Sequence, residues 1–149
     1  MKSKYLSFAK NFGITAIVAV AVAAGVSELA NYFTDDGQII GTVSTIAQYV
    51  TSLGVFMPLH ARDNKEIYEI GGKFNWKQFI SDNLKFNAGL AILDVAYLIG
   101  RPFLQDYFIN QGYTPSNSSF VTDVLVVGSY LTASFPVAKL SGIIKEKKN

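Results

Sequence analysis

The chain has 149 residues, of which 50% are hydrophobic and only 16% charged, and its mean hydropathy is +0.26. Soluble domains carry about 25% charged residues, so this balance points to a membrane protein made of one domain, residues 1–149. The absence of cysteine excludes disulfides, thiol catalysis and thiolate metal sites, and one histidine is too few for a histidine-based metal or haem centre.

Four apolar spans follow along the chain, at about 11–33, 39–59, 84–108 and 120–144. Each is long enough to cross a hydrocarbon core of about 30 Å, for which about 20 helical residues suffice. The expected fold is all-α: a polytopic membrane protein with four transmembrane helices arranged as two tandem hairpins. The first span has lysines ahead of it, as a secretory signal would. It runs on into Glu28 and Asn31 and is followed by three comparable spans, so it reads as a retained helix.

Charge predicts the orientation. Cations fall at Lys2, Lys4 and Lys10, then at Arg62, Lys65, Lys73, Lys77 and Lys85, and finally at Lys139, Lys145, Lys147 and Lys148. Arg101 alone lies elsewhere. Twelve of the thirteen cations therefore sit in the tails and the middle connection, which the positive-inside rule assigns to the cytoplasm. The expected location is the plasma (inner) membrane, multi-pass, with both termini cytoplasmic. Tyr32, Phe33, Tyr107, Phe108 and Tyr113 suit an outer aromatic belt, and Tyr5, Phe8, Phe74 and Trp76 an inner one. Gly71-Gly72 breaks the polar middle connection, and an amphipathic lead-in to the third span follows it. Met57–Leu59 and Phe135–Val137 resemble each other, as do 30–33 and 105–108, which suggests a duplicated hairpin.

The third span carries the chemistry. Asn87, Asp94 and Arg101 recur every seven residues and so stack on one stripe of a helix, with Tyr97 beside them. A carboxylate alone in hydrocarbon costs about 2.5–3.5 kcal/mol even on lenient scales, so the stripe is expected to face protein or water. Asp94 reads either as an ion- or proton-binding group on a transport path or as a structural acid paired with a tyrosine or Arg101. Arg101 has three acids as alternative partners, Glu28, Asp106 and Asp123, or it snorkels to head groups. The candidate pathway residues are thus Glu28, Asn87, Asp94, Tyr97, Arg101 and Asp123, with Gln48, Tyr49 and Tyr130 as further lining groups. Small residues such as Ala19, Ala23, Ser44, Gly89 and Gly128 suit close helix packing. His60, next to Arg62 and Asp63, reads as a polar surface group at the cytoplasmic edge. No phosphate-binding glycine loop, paired-histidine motif or nucleophile–base pair occurs, so neither an enzyme nor a cofactor is expected, and no nucleic-acid motif is present.

Glu28 late in the first span, Pro58 ending the second with Arg62-Asp63 after it, and Trp76 followed by Asp82 occur in an order that resembles the small four-helix L-alanine exporter family (AlaE). The likeness covers roughly residues 15–82. The chain departs from that family in lacking its proline within the third helix, where Asn87 and Asp94 stand instead, in having no arginine near the start of the second, and in having no close glycine pair in the fourth beyond Gly128. GtrA-like proteins share the architecture with a poorer match of motifs. The resemblance implies export of a small amino acid, and a proton-coupled step would use Asp94. A bilayer, a small solute and further copies or partner membrane subunits are the expected surroundings, because four helices rarely enclose a solute path alone and the small-residue faces suit association. A non-catalytic subunit of a larger membrane complex and a lipid-linked sugar flippase are the alternatives.

Overall fold

The structure is a computed structural model that describes residues 4–141 and 143–144. Lys2 and the basic cluster Lys145, Lys147 and Lys148 lie outside the described residues.

Four long helices form the molecule: α1 (Lys4–Asn31), α2 (Gly37–Asp63), α4 (Trp76–Asn110) and α5 (Pro115–Leu140). A one-turn helix α3 (Lys65–Tyr68) and a hairpin of β1 (Glu69–Ile70) and β2 (Lys73–Phe74) join α2 to α4. The helices run up, down, up and down. Each packs on two neighbours in the ring order α1, α2, α4, α5, and α5 closes the ring on α1. The start of α1, the end of α5 and the α2–α4 connection share one end of the bundle, here called proximal. The links 32–36 and 111–114 make the distal end.

Local chemistry sets the helix ends. Asp36 caps α2 by accepting from the Gln38 and Ile39 amides at 2.9 and 3.1 Å. Asn75 caps α4 through the Gln78 amide, and Thr114 caps α5 with Pro115 in the first helical position. Gly71 and Gly72 both have positive φ, +59° and +75°, which the two-residue turn between β1 and β2 requires. Pro136 removes a backbone donor inside α5, and the helix bends by 41° between Pro115–Tyr130 and Thr132–Leu140.

The all-α expectation holds apart from the small hairpin, and the helices run further than the apolar spans. α1 starts at Lys4 instead of 11, and α2 continues through Pro58 to Asp63. The amphipathic lead-in at 76–83 is the uninterrupted first part of α4, whose 35 residues exceed the thickness of a bilayer core. α5 covers 115–140 where 120–144 was expected.

The burial pattern is inverted relative to a soluble bundle. Ile17, Ile46, Ile92, Val95 and Phe120 lie on the outside, while Ser27, Ser44, Gln105, Ser119 and Thr122 are buried. Such a surface suits hydrocarbon, where helix faces gain nothing from hiding apolar groups and small or polar residues make the contacts. α1 and α2 are long and apolar enough to cross a membrane, and α5 joins them if its bent halves count as one span. α4 is less apolar because it carries Lys77, Asp82, Lys85, Asp94 and Arg101. Gly41 lets α2 meet α4 closely: a Cβ there would stand 2.8 Å from the Pro102 Cα.

Candidate functional site

The interior has three layers. The distal layer is a polar clamp centred on Arg101, which is 1% exposed. Its Nε donates to Asp123 Oδ1 at 2.8 Å, and both side chains are fully withdrawn from solvent. Its terminal nitrogens donate to Ser44 (2.8 Å), Thr45 (3.0 Å), Gln105 (2.8 Å) and Ser119 (2.7 Å). Gln105 in turn donates to Ser27 on α1 at 2.9 Å. α2, α4 and α5 thus meet on one guanidinium, whose planar fork supplies the required donors, and α1 joins them through Gln105.

The proximal layer is apolar. Phe8 packs its ring edge-on against Phe56, Phe86 and Phe135, with centroids 5.4–5.9 Å apart. Beyond it His60 is 1% exposed, not on the surface as its charged neighbours suggested. The one-turn α3 places Tyr68 over it: Tyr68 Oη lies 3.2 Å from His60 Nε2 and donates to Asp82 at 3.4 Å. Burial first, and then the neighbouring Asp82, push the Tyr68 phenol well above its ordinary range.

Between these layers lies a half-enclosed cavity of about 140 Å³ to which all four long helices contribute. Its polar lining includes Thr15, Gln48, Tyr49, Asn87, Asp94 and Tyr130. Phe12, Phe56 and Phe86 form the apolar wall. Tyr130 donates to Asp94, and Tyr97 donates to Gln48, so two hydrogen bonds tie α4 to its neighbours across the cavity. The Tyr97 and Tyr130 rings meet edge-on at 5.7 Å. Thr15 Oγ1, on a residue only 7% exposed, has no hydrogen-bond partner among the described residues.

The seven-residue stripe therefore turns inward along its length. Asn87 and Asp94 face the cavity, Tyr97 borders it, and Arg101 forms the layer above. Of the three acids offered to Arg101, Asp123 takes it. Glu28 is exposed at the distal end and accepts from the Ser116 amide at 3.2 Å, away from the clamp. Asp106 accepts from Gln38 at 3.1 Å. Thr45, Gln105 and Ser119 escaped sequence reading. Gln105 stands one turn after Arg101 and Ser119 one turn before Asp123, so a search for polar residues at that spacing finds both.

An apolar exterior, a buried ion cluster and a polar cavity at mid-height define a helical bundle of membrane-protein type. Comparison with protein-family models, curated proteins and solved structures finds no match to this chain.

Proposed function

We propose that the protein is a small membrane transporter whose four long helices all cross the bilayer and whose central cavity is the solute site. The proximal end would lie in the cytoplasm of a plasma (inner) membrane, where the cationic segments gather. One observation carries the reading: Asp94 stands near the middle of α4, turned into a cavity between two closed layers. Carboxylates at membrane depth are costly, and those that persist mark ion and substrate paths.

Each layer would act as a gate. The distal clamp joins the helices by charge-assisted hydrogen bonds, which are expensive to break without replacement. The phenylalanine layer is held by ring contacts that side-chain rotation can relieve. The proximal layer is therefore the one that yields first. A proton on Asp94 is a natural co-traveller. The groups around that carboxylate are Tyr49 and Gln48 from α2, Tyr130 from α5, Tyr97 on α4 itself and the Thr15 hydroxyl of α1.

The resemblance to the alanine exporters makes a small amino acid the first solute to try. Arg101 does not serve as its carboxylate partner in this arrangement, because its donors are already engaged by protein oxygens. The experiment is efflux from vesicles that hold the purified protein and labelled alanine, with and without a pH gradient. Gradient-dependent efflux that Asp94→Asn abolishes supports the reading. Absence of flux together with co-elution with other membrane subunits favours the accessory-subunit alternative.

A further inference from the structure

The cavity has a sign. Among the described residues, Asp94 is the one charged side chain in its lining. The nearest cation along the stripe, Arg101, is neutralised by Asp123 and enclosed by hydroxyl and amide groups, so it offers nothing to a bound anion. The remaining polar groups include acceptors that fit a cation: the unpartnered Thr15 hydroxyl and the side-chain oxygen of Asn87. The same cavity is lined by the rings of Phe12, Phe56 and Phe86. Aromatic faces attract cations through their quadrupole and accept alkyl groups by contact.

We propose that the central cavity is a binding site for a small aliphatic ammonium ion, with its nitrogen on Asp94 and its carbon part against the phenylalanine wall. The inference rests on the reading of this cavity as the solute site and names the solute's chemical class. The volume, about 140 Å³, is close to that of a cavity of about 150 Å³ that takes benzene, so a cation of similar size fits. A free carboxylate fits poorly. It meets Asp94 and finds no cation to balance it, so an amino acid would be held by its amino end alone.

The test is calorimetric titration of the full chain in detergent with ethylammonium, tetramethylammonium, propionate, alanine and alaninamide. The ammonium ions and alaninamide are expected to bind at least about tenfold more tightly than propionate and alanine. Asp94→Asn is expected to lose that preference. The order of affinities in the unaltered protein stands on its own should the variant fail to fold. Equal or tighter binding of propionate or alanine overturns the proposal, as does an absence of binding by every probe. Ammonium binding without vesicle flux of either ethylammonium or alanine keeps the cation site and removes the transport reading. Alanine flux without preference for the amine does the reverse.

Discussion

Tyr130 on α5 donates its phenolic hydrogen to the Asp94 carboxylate on α4, across a cavity that both residues line. The bond satisfies one oxygen of a half-buried acid and leaves the other oxygen available to a ligand. Tyr130→Phe is expected to lower stability by about 1.5–3 kcal/mol, the worth of a hydrogen bond to a charged group, while flux persists. Thermal unfolding in detergent and vesicle flux measured on the same preparation check it. Asp94→Asn should show the opposite pattern, with flux lost and stability little changed.

Removing Arg101 exposes the cost of an unpaired buried charge. Arg101→Met leaves Asp123 fully enclosed without its cation and should destabilise the bundle by about 3–5 kcal/mol. Arg101→Lys should also be damaging, since a single ammonium cannot reach Asp123, Ser44, Thr45, Gln105 and Ser119 together. Arg101→Met combined with Asp123→Leu should be less harmful than either change alone. Denaturation of the four proteins in a double-mutant cycle reads this coupling directly.

Gly41 sits where α2 crosses α4. Gly41→Ala places a methyl group 2.8 Å from Pro102 Cα, a backbone atom that cannot turn aside, and should cost about 1–3 kcal/mol. Gly54→Ala meets open space and should cost nothing measurable, so the pair compared by thermal unfolding isolates the crossing.

The proximal cluster of His60, Tyr68 and Asp82 should show in the alkaline limb of stability. Tyr68 has its phenol raised in the folded chain, so its contribution is fully present below the unfolded value near pH ~10 and is lost as pH rises toward the folded one. The native chain should therefore weaken more steeply above that pH than Tyr68→Phe does. Unfolding midpoints across the alkaline range provide the comparison, and identical slopes would contradict the assignment.

Much of the site was legible because one helix carries it. The spacing of Asn87, Asp94 and Arg101 places them on one stripe whatever surrounds the helix, and the cost of a carboxylate in lipid turns that stripe inward. Which acid meets Arg101 is set by the heights at which α1 and α5 pass α4, and periodicity within a span carries no such information. Glu28 and Asp123 looked alike in the sequence for that reason. His60 was misread because its cover arrives from Tyr68, folded back by α3 and the Gly71-Gly72 hairpin rather than by neighbours in sequence. The helix ends overran the apolar spans because hydropathy stops at the interface while backbone hydrogen bonding continues into Asp63 at one boundary and back to Trp76 at the other.

α4 should show water its Asn87–Asp94 side and lipid the opposite side. The chain contains no cysteine, so Asn87→Cys and Ile92→Cys each give a single thiol, one in the cavity and one on a residue 86% exposed on the outer surface. In vesicles, a small cationic water-soluble thiol reagent should modify Asn87→Cys, more slowly when ethylammonium is present, and should leave Ile92→Cys untouched. Modification of Ile92→Cys with Asn87→Cys inert would contradict the placement of the cavity and of the bilayer together.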